Sequence, residues 1–203
     1  MMKVVLASNN KGKLLELEQM FQDMPLELLS QAQLGISEAQ EPFHTFVENA
    51  LAKARHASAE SGLAALADDA GLCVDAFGGE PGVQTAFYAT RFGYSKGDDN
   101  NVIALLEQMQ NISNRGAALV STLVGVRHPM DPEPLIAVGR VVGKITTKPI
   151  GSNGFGFDPV MWIPEFGKTF AELSTETKNK NSHRGRAAQL MKLLIRQSWL
   201  PKT

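Results

Sequence analysis

The chain has one cysteine, Cys73, in 203 residues, so no internal disulfide can form. It also lacks an excess of either charge: 20 Lys and Arg stand against 21 Asp and Glu, a net charge of −1. That balance argues against a general nucleic-acid binder, which carries a basic excess, but leaves room for a small polyphosphate ligand that needs only a few local cations. No apolar run approaches the roughly 20 residues of a membrane span. The apolar start, MMKVVLAS, is too short for a signal peptide. Internal repeats, low-complexity segments and linkers are missing too. These absences predict a protein of the reducing cytoplasm, without a membrane or nucleic-acid partner.

What is present alternates between strand and helix patterns. Lys3–Ala7 reads as a buried strand, followed by SNNKGK and a helix whose stripe is Leu14, Leu17 and Phe21. Pro25 ends that helix, Leu26–Leu29 is a second strand, and a polar loop spans Gly35–Phe43. Thr45–Ser61 is a helix with Phe46, Ala50, Leu51, Ala54 and Ala57 on one stripe, stopped at Gly62. Leu63–Asp68 reads as a strand ending in two aspartates, with a glycine-rich loop over Gly71–Gly82. Asp99–Met109 is a helix. Ala117–Val126 and Leu135–Ile145 are long strands joined by a proline-rich link, a wide hairpin. Gly185–Trp199 closes the chain as a helix. The pattern predicts an α/β protein with a mixed sheet and helices on its faces.

Four groups of residues carry chemistry. Ser8, Asn9, Asn10, Lys11, Gly12 and Lys13 lie between a strand and a helix, where backbone N–H groups favour anions and the lysines add charge. The segment is no Walker loop, and a capped helix with solvated lysines is the plainer reading. Glu41 precedes a helix on which Asn49 and Lys53 share a face. Asp68 and Asp69 point to opposite sides of a strand, so one carboxylate can hold a metal and the other can orient or deprotonate water. Asp-Asp-Ala-Gly is also good turn chemistry.

The last group is the GFGFDP turn with Lys178 and the Ser182-His183-Arg184 triplet. An aromatic ring, a carboxylate and separated cations suit a nucleotide: Phe155 or Phe157 to stack a base, Asp158 to accept base N–H groups, and cations for phosphates. One of the two phenylalanines is expected in the core. Arg184 sits in a first helical turn, against the helix dipole, which points to a task beyond the helix.

SNNKGK, F-x-E-N-A with Lys53-Ala54, DDAGL, GGEPG, GFGFDP and K-N-x-x-SHR follow one another in a way that resembles the inosine/xanthosine triphosphate pyrophosphatases, the HAM1-like family. The resemblance runs from Lys3 to Leu194. It implies that residues 1–203 form one nucleoside-triphosphate pyrophosphatase domain of two lobes, an elongated mixed sheet with helices and an active cleft between the lobes. It implies hydrolysis of ITP, dITP and XTP to monophosphate and pyrophosphate with Mg²⁺, by a homodimer. Carried over position by position, Ser8 to Lys13 hold phosphates and Lys53 makes a phosphate contact. Asp69 is the catalytic carboxylate with a metal role, and Ala70 touches substrate. Phe155, Gly156, Phe157 and Asp158 match the base-binding stretch, and Lys178, His183 and Arg184 match further substrate contacts.

The chain departs from the pattern in three places. Ala70 stands where serine is frequent, Phe157 where tyrosine is, and Gln40-Glu41 where a Glu-Glu pair is. Glu41 is therefore the expected second metal carboxylate, with Glu38 as a substitute. Either Asp68 or Asp69 activates the water, while Lys13, Lys53, Lys178 and Arg184 offset phosphate charge. Two alternatives are a Maf-like pyrophosphatase of pyrimidine or modified nucleotides and a nucleotide-binding module without turnover.

Overall fold

The computed structural model describes residues 1–200. Seven strands form one mixed sheet in the order β2-β1-β3-β4-β5-β6-β7. They are β1 (Met2–Leu6), β2 (Leu26–Ser30), β3 (Ala64–Val74), β4 (Gly116–Val126), β5 (Leu135–Ile145), β6 (Met161–Ile163) and β7 (Lys168–Thr169). β1 pairs in parallel with β2 and β3, whereas β6 pairs antiparallel with β5 and β7. The helices are α1 (Lys11–Phe21), α2 (Phe46–Ser61), α3 (Asp98–Gln108), α4 (Thr175–Asn181) and α5 (His183–Ser198). No helix of the described residues is long and apolar enough to cross a membrane.

The chain divides into two compact units. The first comprises Met1–Asp69, Ser121–Gly139 and Arg184 onward. Its sheet is covered on both faces, and the period of two along β1 and β3 shows how. Val4, Leu6 and Leu66 pack with Leu17 and Phe21 of α1 and Met191 and Ile195 of α5. Val5, Ala65 and Ala67 pack with Ala50, Ala54 and Ala57 of α2. Small alanines on α2 let it lie close to the strands. Thr45 caps α2 at its start, and Gly62 ends it in the left-handed conformation at φ 69°.

The second unit comprises Ala70–Val120 and Arg140–His183. Its core gathers Leu72, Val74, Leu105, Met109, Met161, Ile163 and Phe170. α3 packs beside a 3₁₀ segment, Gly82–Phe92, and buried Asn101 of α3 accepts the Ala89 N–H at 2.9 Å.

The sequence reading stops one strand too early. β3 runs through Asp68-Asp69-Ala70-Gly71 to Val74, so the aspartates lie within a strand and not at its end. Leu72 and Val74 are fully buried in the second unit's core, and that burial outweighs the local turn preference of Asp-Asp-Ala-Gly. The expected loop over Gly71–Gly82 shrinks accordingly.

Candidate active site

In the first unit, β3 brings two carboxylates into contact with two different sets of partners. Asp68 is 2 % exposed. Its Oδ1 accepts from Ser121 Oγ of β4 at 2.5 Å, and its Oδ2 accepts from Arg184 Nε at 3.0 Å. Lys13 Nζ of α1 lies 3.1 Å from the same Oδ2. Arg184 is itself fixed by Glu16, with Nη1 to Oε2 at 2.5 Å. Burial alone would raise the Asp68 carboxyl, but the Arg184 and Lys13 cations and the Ser121 hydroxyl hold it well below the ordinary carboxylate range. Asp68 is thus a permanently ionised hub with both oxygens engaged.

Asp69 faces another set. Its Oδ1 accepts from Lys53 Nζ at 3.0 Å, and Asn49 Nδ2 lies 3.5 Å from Oδ2. Burial raises the Asp69 carboxyl above its ordinary value despite the pull of Lys53 and Lys13. Two adjacent aspartates therefore have opposite characters: Asp68 is the weaker base and Asp69 the stronger one. Burial lowers the Lys13 ammonium, against the pull of Asp68. Burial also opposes the charge on Lys53, but Asp69 and Glu41 overcome it and raise that ammonium.

Lys53 marks a focus of oxygen donors. Its Nζ lies 2.6 Å from Glu41 Oε2, 3.0 Å from Asp69 Oδ1 and 3.0 Å from the Asp68 carbonyl oxygen. Asn49 holds Phe43, two residues after Glu41: it takes the Phe43 N–H on Oδ1 at 3.0 Å and gives Nδ2–H to the Phe43 carbonyl at 3.2 Å. Carboxylate and carbonyl oxygens converging on one cation are the donors a hard divalent metal takes. Among the described residues no three His, Cys, Asp or Glu side chains gather as a cage; Glu41 and Asp69 are the two carboxylates that share Lys53. Glu38, the substitute metal carboxylate in the sequence reading, instead accepts from Asn9 Nδ2 at 3.0 Å.

The SNNKGK segment is shaped by its own hydrogen bonds. Asn10 caps α1 through the Lys13 N–H at 3.0 Å, and Ser8 Oγ accepts the Asn10 N–H at 3.2 Å. Asn9 and Lys11 are exposed and Gly12 half-buried. The cap turns α1 so that Lys13 reaches Asp68.

The second unit assembles the GFGFDP turn. Phe157 is 3 % exposed and belongs to the core, so it is the phenylalanine whose ring packs. Phe155 is half-buried, and Lys178 Nζ lies 4.6 Å from its ring centroid. Asp158 Oδ2 accepts from Lys178 Nζ at 2.6 Å and from the Phe155 N–H at 2.9 Å. A Cβ at Gly154, where φ is 79°, would stand 2.0 Å from that oxygen, so only glycine permits the closure. His183 is buried beside Phe170, with ring centroids 6.4 Å apart. Ala70 is half-buried within β3.

Three of the expected substrate contacts also have partners within the protein. Arg184 and Lys178 were expected to meet phosphate. Arg184 is 2 % exposed and bound to Asp68 and Glu16, which is the task that sets it against the helix dipole. Lys178 is 5 % exposed and paired with Asp158. Burial makes a carboxylate the partner each cation needs. Likewise the Asp158 carboxylate, read as an acceptor for a base, accepts from Lys178 Nζ and the Phe155 N–H. Sequence reasoning missed Ser121 and Glu16. A lone Ser-Thr pair inside the apolar strand GAALVSTLVGV was the available signal, since a buried hydroxyl needs a partner.

Comparison with known proteins agrees with this arrangement of motifs. The family model described as Ham1 family matches residues 4–194. A dITP/XTP pyrophosphatase of Albidiferax ferrireducens is 74 % identical over 98 % of this chain and 100 % of its own length. One of Paracidovorax citrulli is 72 % identical with the same coverage. The solved structure of a HAM1 protein from Coxiella burnetii superposes with a TM-score of 0.90 at 36 % identity, covering 98 % of this chain and 100 % of that one. With a family match over residues 4–194 and relatives of this identity, the chain belongs to the Ham1 family.

Proposed function

We propose that this protein is a nucleoside-triphosphate pyrophosphatase that converts non-canonical purine nucleotides (dITP, XTP and ITP) to the monophosphate and pyrophosphate. The observation that carries the reading is the cluster in which buried Asp69, with its carboxyl raised, shares Lys53 with the partly exposed Glu41 while Lys13 stands at Asp68. Its relatives are named for dITP and XTP.

Each side chain then has a task. Asp69 takes the proton of the attacking water, because burial makes it the stronger base of the pair. Asp68 stays ionised and holds Lys13 in place. Lys13 and Lys53 offset charge that develops on the phosphates as pyrophosphate leaves. A divalent cation, Mg²⁺ in this proposal, held by Glu41 and Asp69 would neutralise phosphate oxygens and lower the pKa of bound water. Ser8 to Gly12 lead into the start of α1, where first-turn backbone N–H groups favour anions.

The turn of the second unit supplies base recognition. The Phe155 ring offers a stacking face, and the Lys178 ammonium beside it is a donor. A purine with a 6-keto acceptor matches that donor, whereas adenine presents an amino group there, a donor facing a donor. Ala70 and His183 line substrate in the same reading, which also includes a homodimer in the cytoplasm; sedimentation tests the dimer.

The direct test is pyrophosphate release from ITP, dITP, XTP, GTP, ATP and dTTP, with Mg²⁺ and with EDTA. Metal-dependent turnover confined to ITP, dITP and XTP is the expected result. Turnover favouring dTTP would instead select the pyrimidine-directed alternative, and no turnover would select a binding module.

A further inference from the structure

Asp98 stands outside every motif named above, yet it touches the base-recognition turn. It is the first residue of α3, and its Oδ2 accepts the Gly156 N–H at 2.9 Å across 58 residues of sequence. Aspartate at a helix start ordinarily serves its own helix. Here the N-cap is Gly97, and no side chain caps α3. The Asp98 carboxylate is spent on the turn instead.

The neighbouring peptide is held in the same manner. The Phe155 N–H donates to Asp158 Oδ2 at 2.9 Å, so two consecutive N–H groups, those of Phe155 and Gly156, are each taken by a carboxylate. Those bonds bracket the Cα that carries the Phe155 ring. Gly154 and Gly156 have φ of 79° and 62°, a backbone that glycine adopts without strain. α3 is a firm anchor, because Asn101 and Leu105 are buried and Asn101 holds the Ala89 N–H at 2.9 Å.

We propose that Asp98 is a positioning residue for base recognition: by holding the Gly156 N–H it sets the angle at which the Phe155 ring, with Lys178 beside it, meets the purine. The inference rests on the reading that this turn binds the base. A misplaced stacking ring weakens binding of the base more than it slows the chemistry, which belongs to the Asp69 cluster.

The experiment compares Asp98→Ala and Asp98→Asn with the wild type. Asp98→Ala is expected to raise KM for XTP about fivefold to tenfold, with kcat within about twofold. Inhibition by inorganic pyrophosphate should be unchanged, because that ligand has no base. Asp98→Asn keeps an acceptor oxygen and should restore KM to within about twofold of the wild type. Amide hydrogen exchange over residues 151–158 should quicken in Asp98→Ala and not in Asp98→Asn; this readout needs no turnover. An unchanged KM in Asp98→Ala, equal loss in both variants, or a parallel loss of pyrophosphate inhibition would overturn the proposal. So would failure of Asp98→Ala to fold, since this exposed side chain is argued to act on the turn alone. A wild-type protein inactive on XTP would count against the activity, while the exchange data would still decide whether Asp98 braces the turn.

Discussion

Arg184 Nε lies 3.0 Å from Asp68 Oδ2, although 116 residues separate them. This buried pair joins the start of α5 to the middle of β3, and Glu16 and Ser121 complete it from α1 and β4. Asp68→Ala would leave Arg184 and Glu16 buried around an empty place. A loss of about 3–5 kcal/mol is expected in urea unfolding. A loss below about 1 kcal/mol would contradict the assignment of Asp68 as the hub.

The same hub has a pH signature. The folded-state Asp68 carboxyl is depressed, so it contributes stability that is present above its ordinary value of 3.8 and is lost as pH falls toward the lower folded-state value. The stability difference between wild type and Asp68→Ala should be flat across neutral pH and shrink below about pH 4. A difference that grows on acidification would contradict the assignment.

Lys13→Ala separates chemistry from folding. Asp68 keeps Arg184 and Ser121 when Lys13 is removed, so stability should fall by no more than about 1–2 kcal/mol. Turnover should fall about 100-fold, the scale of losing one electrostatic contact to the developing charge. Turnover comparable to the wild type, with unchanged substrate affinity, would remove Lys13 from the site.

Glu41→Gln addresses the metal. The Glu41 side chain is 45 % exposed, so its removal should barely change stability. The Mg²⁺ concentration for half-maximal turnover should rise about tenfold, the scale of one weakened ligand. An unchanged metal requirement would assign the second ligand elsewhere.

How much of this was legible depends on whether a residue's role was local. The stripe of α2 and its stop at Gly62 are local, and the sequence reading matches them; it placed Thr45 inside the helix, where the structure makes it the cap. So is the shared face of Asn49 and Lys53, both of which meet Asp69. Asp68-Asp69 was read as a strand end because Asp-Asp-Ala-Gly favours turns, but the burial of Leu72 and Val74 is a tertiary fact that no short window contains. The partners of Arg184 lie 116 and 168 residues away, so its charge was visible and its purpose was not. Phe155 and Phe157 are alike in sequence, and only packing separates the core ring from the half-buried one. Asp98 gave no signal, because its bond to the Gly156 N–H joins the start of α3 to a turn 58 residues away.

The most direct test of the account is pyrophosphate release from dITP by Asp69→Asn, at saturating Mg²⁺ and across pH. The acid limb of wild-type kcat/KM should follow protonation of the Asp69 carboxylate. The variant should fold as well as the wild type, since burial penalises the charge it removes. It should lose about 100-fold to 10,000-fold in turnover, and the acid limb with it. An Asp69→Asn protein with wild-type turnover and an unaltered acid limb would contradict the assignment of the chemistry to Asp69.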